Sequence, residues 1–314
     1  MSSGYRFRLL DVFSARPYAG SALAVLPEAQ GLSAEQMQGI AREFGLTATA
    51  FVRPARSSGH THRLRVFTAA KELPFAGHAT IGAALTLAME GDERAEFVFE
   101  EDAGPVQVSM RPGPGAGTAW MWAPRLPEVG PDPPPPVALA ALLSLKVTDL
   151  LAGAWRPAAV SAGLPFLVVP VRDLDALRRV RLDMARWREM LQNWWAAQVY
   201  VVTPMEAGRD LYFRARTFAP GIGIDEDPAG GAAASALPAW LVPRLKPADG
   251  PLSFVIEQGI EMGRPSTLAV EVDVKGGAIA SVRVGGAAVT VAEGRIQPPP
   301  REPRQTDREG GRRP

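Results

Sequence analysis

Leu73-Pro74-Phe75-Ala76-Gly77-His78-Ala79-Thr80-Ile81-Gly82-Ala83-Ala84-Leu85 reads as an extended, proline-containing approach that opens into a glycine-led helix. About 150 residues further on the pattern returns as Asp227-Pro228-Ala229-Gly230-Gly231-Ala232-Ala233-Ala234-Ser235-Ala236-Leu237. Both alanine-rich runs have strong helix propensity. A helix N-terminus carries free N–H groups and a partial positive charge, and glycine there lets an anion come close to the backbone. Two such ends, one in each half of the chain, predict a duplicated architecture that holds a carboxylate-bearing small molecule between its halves. Two ordinary buried Ala/Gly helices are the plainer alternative.

Composition narrows the choices. The 314 residues allow one large or two medium domains, and 46% hydrophobic with 21% charged residues is ordinary for a globular chain. A formal charge of +1 offers no field for nucleic acid or acidic membranes. The stretch from Arg301 to Arg313 is the local exception, with arginines among Glu302, Asp307 and Glu309, and it reads as a disordered tail over 297–314. The chain has no cysteine, which removes disulfides, thiolate nucleophiles and cysteine-based metal sites, and with them a two-cysteine racemase. No metal site and no cofactor is expected. The start Met1-Ser2-Ser3-Gly4-Tyr5-Arg6 lacks a signal pattern, and no apolar run is long enough to span a membrane, so a cytoplasmic location is expected.

Outward from the two helix starts, strands and helices alternate unevenly. Tyr5–Phe13, 22–26, 49–53 and 62–67 read as strands, with a helix from the Ser33 cap to a stop at Gly45. Strands at 95–100, 106–110 and 119–122 follow the first Gly-led helix. Proline- and glycine-rich stretches at 111–117 and 130–136 mark a boundary. Beyond it come helices at 137–145, 174–180 and 184–193, strands at 158–160, 166–170, 199–202 and 211–218, the second Gly-led helix to about Leu241, and closing strands at 252–257, 268–275, 281–284 and 288–291. The antiparallel-looking neighbours favour an α+β fold with each half curling a sheet around its Gly-led helix. The expected division is an N-terminal lobe over 5–125 and a C-terminal lobe over 126–280, with chain near 281–295 returning to the first. Gly221-Ile222-Gly223 lacks a third glycine and precedes Asp225-Glu226-Asp227, so it is not a dinucleotide fingerprint.

Several stretches together resemble the phenazine-biosynthesis PhzF-like family: Asp11-Val12-Phe13, Arg16-Pro17-Tyr18-Ala19-Gly20, Glu35-Gln36-Met37-Gln38, Phe67-Thr68, Glu72-Leu73-Pro74-Phe75-Ala76-Gly77-His78, Ser161-Ala162-Gly163-Leu164-Pro165, Phe218-Ala219-Pro220, Glu226-Asp227-Pro228-Ala229 and Gln258 to Ser266. The resemblance covers roughly residues 5 to 295. It implies the diaminopimelate-epimerase fold, two similar α/β lobes with the active site in the cleft between them. It also implies cofactor-free acid–base chemistry that shifts a double bond in a small unsaturated amino or hydroxy acid. Two departures stand out. The family's proton-shuttling glutamate is Ala48 in the run Gly45-Leu46-Thr47-Ala48-Thr49-Ala50-Phe51, and the serine that would touch substrate is Ala232. The turn that usually reads Gly-Asn-Pro is Gly20-Ser21-Ala22.

His78 and Asp227 remain as candidate catalytic residues. An imidazole works as acid or base near neutral pH, and Asp227 exchanges a proton or fixes an ammonium group; capping and turn roles are the structural alternatives. Gly20, Ser21, Ala48, Gly77, Gly230, Gly231 and Ala232 are the candidate substrate-binding positions. Glu72 is read as structural and held in reserve as a replacement carboxylate, and Lys71 is left as a surface charge or a substrate contact. His60 and His62 are read as surface, Asp225 and Glu226 as solvated loop charges, and Trp120, Trp122, Trp194 and Trp195 as packing. The leading expectation is an isomerase or tautomerase acting on a small carboxylic acid in a specialised, antibiotic-type pathway such as alkylproline or phenazine-like biosynthesis, as a homodimer with no nucleic-acid or membrane partner. The alternatives are a catalytically inactive relative that binds a small acid or a partner, and an epimerase or racemase.

Overall fold

Helices Gly77–Met89 and Gly231–Leu245 each run through the middle of a shell of strands. Neither is amphipathic, and nearly every residue from Gly77 to Leu87 and from Gly231 to Val242 is buried. That is the pattern of a helix enclosed on all sides. Small residues make the enclosure close: a Cβ on Gly82 would fall 2.3 Å from Leu23 Cδ2. The computed structural model describes residues 4–111, 113–114, 117–207 and 210–300.

The first shell follows the strands Tyr5–Val12, Ser21–Leu26, Ala48–Pro54, His62–Phe67, Glu96–Glu101, Gly104–Arg111 and Thr118–Trp122. Neighbours pair antiparallel, parallel, antiparallel, parallel, antiparallel and antiparallel in that order. The second shell follows Ala158–Ser161, Pro165–Pro170, Gln198–Ala207, Asp210–Ala219, Gly250–Gln258, Ser266–Lys275 and Ala278–Gly286, and repeats the same order of pairings. Each central helix is preceded by a short strand, Glu72–Leu73 in one lobe and Ile224–Asp227 in the other. The fold is therefore α+β and two-lobed, each lobe a curled mixed sheet around its helix.

Two exchanges join the lobes. Thr118–Trp122 pairs antiparallel with Ala278–Gly286, so the two shells merge along one seam. Ala288–Ile296 crosses back and pairs with Tyr5–Val12, while Glu128–Val129 pairs with Ala158–Ser161 in the second lobe. The changeover falls at Ala287, whose carbonyl accepts from Phe13 N at 2.8 Å. The chain at 278–286 thus pairs with a strand of each shell, and 288–296 pairs with Tyr5–Val12 of the first.

Local chemistry explains the other elements. Ser33 and Gln36 form a reciprocal capping box for Ala34–Phe44, and Gly45 closes the helix in the left-handed conformation. Helices Pro136–Leu142, Leu174–Arg179 and Met184–Met190 cover the outer face of the second shell around Leu139, Leu177, Trp187 and Val199. They stop short of the ends expected at 145, 180 and 193. The second central helix instead overruns Leu241 to Leu245 with Pro238 and Pro243 inside it. Enclosure by the shell outweighs the ~3 kcal/mol that an interior proline usually costs. The start of the tail is docked, since the Pro299 carbonyl accepts from Gln36 Nε2 at 2.7 Å. The basic stretch 301–314 lies outside the described residues.

Candidate active site

The two glycine-led helix starts abut each other. A Cβ on Gly77 would stand 3.2 Å from the carbonyl carbon of Gly231, and one on Gly231 would stand 3.4 Å from both Gly77 Cα and His78 N. Neither glycine has a positive φ, so space and not backbone conformation demands glycine here. Neither helix has a side-chain cap, with Ala76 and Gly230 at the N-cap positions. Both positive dipole ends thus lie against each other without a side-chain cap, while Ala79 N donates to the Ala76 carbonyl and Gly231 N to the Ala229 carbonyl, each at 2.9 Å.

His78 sits in the first turn of the N-lobe helix and is 4% exposed. Its Nε2 is buried and has no hydrogen-bond partner. Burial pushes the imidazole below its ordinary range, and the Asp227 carboxylate opposes that shift in part. The ring is consequently neutral at neutral pH and able to accept a proton, with a carboxylate near enough to stabilise the cation that forms.

Asp227 is the last residue of its short strand and is 9% exposed. Its Oδ1 accepts from Ala229 N at 3.0 Å, an Asx-type turn that fixes the approach to the helix. Its own carbonyl accepts from Gln258 Nε2 at 2.6 Å. The capping role and the position facing His78 are thus compatible.

Gly20 has φ +68, and a Cβ there would fall 2.3 Å from the Val12 carbonyl oxygen. The turn is tied to the other lobe: Arg264 donates from Nε to the Gly20 carbonyl at 2.8 Å and from Nη2 to the Ala19 carbonyl at 2.9 Å, and also pairs with the buried Asp11. Ser21 is buried, with its hydroxyl donating to Thr47 Oγ1 at 3.4 Å. Ala48 is fully buried in the core of the first lobe. Gly230 packs on Thr217, whose Oγ1 lies 2.8 Å from a Cβ built there, and Ala232 is partly buried.

Other candidates are engaged elsewhere. Arg65 holds Glu72 in a two-point ion pair, 2.6 Å at each contact, which leaves it unsuited to replace the missing carboxylate. Lys71 Nζ donates to the Gly221 carbonyl at 3.0 Å and so ties the lobes together. Glu226 is no solvated loop charge: it lies in a strand and takes two contacts, 2.8 and 2.9 Å, from the buried Arg216. Asp225 is exposed. His62 is likewise not a surface group, because its ring packs 6.2 Å from both Phe97 and Phe99 and burial lowers its pKa. Trp120 and Trp122 flank the seam between the lobes, Trp194 packs on the outer helical core, and Trp195 is 38% exposed against Gly130. Among the described residues no group of His, Asp and Glu is arranged to hold a metal ion.

Tyr200 and Thr217 were missed from the sequence. The strand register sets Tyr200 opposite Thr217 and Thr217 opposite Asp227, so the three form one row across adjacent strands. The available signal was a polar residue on the inward period of an otherwise apolar strand. The pairing that turns such residues into a row is not written in either strand alone.

Residues 10–294 match the family model described as phenazine biosynthesis-like protein. The chain is 40% identical over 295 residues to an uncharacterized isomerase of Mesorhizobium japonicum, covering 92% of this chain and 98% of the relative. It is 32% identical over 293 residues to the trans-2,3-dihydro-3-hydroxyanthranilate isomerase of Pseudomonas aeruginosa, covering 93% and 99%. Among solved structures, a PhzF-family phenazine biosynthesis protein of Bacillus anthracis superposes with a TM-score of 0.84 at 25% identity, covering 94% of this chain and 99% of that one.

Proposed function

The chain belongs to the phenazine biosynthesis-like family and is an isomerase of it, and on that premise we propose that it moves a proton and a double bond within a small unsaturated amino or hydroxy acid, without a cofactor. The observation that carries this reading is the unpartnered, buried Nε2 of His78 beside two abutting, uncapped helix starts. The substrate carboxylate lies on the first-turn N–H groups, where the dipole ends favour negative charge. His78 Nε2 takes a proton from the activated carbon, so that a C–H bond breaks and an N–H bond forms. The electron pair spreads through the conjugated acid toward the helix ends, and Asp227 stabilises the imidazolium. The imidazolium exchanges its proton with solvent and delivers one to the far end of the unsaturated system, the N–H bond breaks, and the double bond has moved. One base suffices because a C–H bond conjugated to an imine is already acidic, which accommodates alanine at position 48. Specialised, antibiotic-type metabolism is the setting that fits such a substrate, and a cytoplasmic homodimer is the assembly we propose.

The test is solvent deuterium uptake into unsaturated cyclic amino acids in D2O. His78→Ala and Asp227→Asn should each slow exchange by about 100-fold or more, the scale of a positioned acid–base group. Because His78 must be neutral to act and burial holds its pKa below 6.5, kcat/KM should be flat at neutral pH and fall on an acid limb below that value. Exchange at the wild-type rate in both variants would sink the assignment. The alanines at 48 and 232 favour one second reading, an inactive relative that binds a small acid, and it predicts binding with no exchange in any protein tested.

A further inference from the structure

Two hydroxyls in the row beneath the C-lobe helix start have no role in the chemistry above. Tyr200, Thr217 and Asp227 sit side by side across three strands. Tyr200 shares the inward face of its strand with Val202, and Thr217 shares that of Phe213 and Ala215, all within the core that surrounds the central helix. Tyr200 Oη and Thr217 Oγ1 are both buried and both lack a hydrogen-bond partner. Gln258 joins them from the neighbouring strand, where its Nε2 is spent on the Asp227 carbonyl and its Oε1 is buried and unpaired.

A buried polar group left unpaired costs about 1–3 kcal/mol, and phenylalanine and valine would fill the same space without that cost. Three such groups beside one carboxylate mark a place built to receive something polar. The two hydroxyls can each donate or accept, whereas Gln258 Oε1 and the Asp227 carboxylate only accept. A guest that satisfies them all must both donate and accept, as a hydroxyl does, or donate repeatedly, as an amino group does. Burial and the nearby Asp227 carboxylate keep the phenol protonated, so it stays a donor across the working pH range.

We propose that Tyr200 and Thr217 are specificity-determining residues that hold a hydroxyl or amino substituent of the acid whose carboxylate lies on the helix ends. This rests on the reading of the abutting helix starts as the substrate site. The carboxylate is common to every acid the site could take, so the floor of the site decides which acid stays. Tyr200 and Thr217 thereby supply polar recognition on the C-lobe side, where Ala232 contributes none.

The experiment measures binding of benzoate, 2-aminobenzoate and 2-amino-3-hydroxybenzoate by calorimetry to the wild type, Tyr200→Phe, Thr217→Val, Thr217→Ser and Gly231→Val. The wild type should bind the substituted acids about tenfold or more tightly than benzoate, the worth of one well-made hydrogen bond. In Tyr200→Phe and Thr217→Val that preference should fall toward unity while benzoate binds as before. Thr217→Ser, which keeps the hydroxyl, should retain the preference, and Gly231→Val should bind none of the three. An unchanged preference in both Tyr200→Phe and Thr217→Val, with Gly231→Val inactive in binding, overturns the assignment of these residues and leaves the substrate site standing. Absence of binding to the wild type, or full binding to Gly231→Val, overturns the site and this assignment together.

Discussion

At the scale of single residues, His78 and Glu101 are two of the buried groups that burial pushes toward neutrality, and of this pair only His78 lies at the junction of the helix starts. His78 is the one we propose as the base. The other is Glu101, buried at the inner end of strand Glu96–Glu101, where Thr80 Oγ1 lies 2.7 Å from its Oε1 and its Oε2 has no partner. Burial raises this carboxyl from 4.5 to about 8, with a smaller push from the Asp102 charge. A protonated Glu101 donates to Thr80, whose own hydroxyl then donates to the Ala76 carbonyl at 3.2 Å, and every proton has an acceptor. The native state therefore holds a proton that the unfolded chain gives up above 4.5. Its stabilising contribution is full below 4.5 and is lost as pH rises toward 8, at a cost of up to about 5 kcal/mol. Glu101→Gln should abolish that dependence: chemical denaturation between pH 5 and 9 should show a falling wild-type stability and a flatter variant. Parallel curves would mean that Glu101 is ionised in the native state. Neither Glu101 nor Tyr200 stood out in the sequence, because a polar residue on an inward strand period is indistinguishable from an edge residue until the strand's neighbours are known. His78 and Asp227 stood out because each sits beside a helix start that the sequence itself announces.

At the scale of elements, the glycine-led starts were legible because their chemistry is local: extended proline, small residues, then alanine. Their meeting was foreseen from repetition, and the contact of Gly77 with Gly231 gives it a distance. The ends of helices were less legible. Pro238 and Pro243 argue for an early stop, but the surrounding shell carries the second helix on to Leu245. The departures at Glu226 and His62 have the same origin, since Arg216 and the Phe97–Phe99 pair reach them from elements distant in the chain or across a sheet. The element-level prediction concerns the junction. Gly231→Ala places a methyl 3.3 Å from the Phe13 ring and 3.4 Å from the Gly77 backbone, a fit that needs a few tenths of an ångström of give. It should weaken benzoate binding about tenfold and leave the circular dichroism spectrum unchanged. Gly231→Val adds two further carbons in the same space and should abolish binding. Wild-type affinity in the valine variant would show that no anion uses these N–H groups.

At the scale of the whole molecule, duplication supplies two equivalent lobes, and a few long-range ties set their relation. Arg264 is the most connected of these, reaching from the second lobe to Asp11, Ala19 and Gly20 of the first, while Gly20 N donates to the Pro265 carbonyl at 3.0 Å and Lys71 ties the lobes through the Gly221 carbonyl. Asp11 is 3% exposed and also accepts from Tyr18 N at 2.6 Å. Removing Arg264 leaves that carboxylate buried without its cation, an arrangement far worse than removing both partners. Arg264→Ala should therefore destabilise the fold by about 2 kcal/mol, a figure reduced from the fully buried case because the arginine side chain is 29% exposed. The Asp11→Asn/Arg264→Ala double variant should lose less than the sum of the two single variants, as coupled neighbours do. The brace also bears on activity, since Phe13 contacts the junction at Gly231 and its carbonyl accepts from Thr267 N at 2.9 Å in the same interlobe strip. Arg264→Ala should thus lower the rate of deuterium exchange more than it changes the affinity for benzoate, because the helix ends still hold the carboxylate while the lobes no longer hold His78 and Asp227 at a fixed separation. Additive stabilities in the double variant, together with exchange at the wild-type rate, would show that the lobes keep their relation without this tie and that the strand seam alone is sufficient.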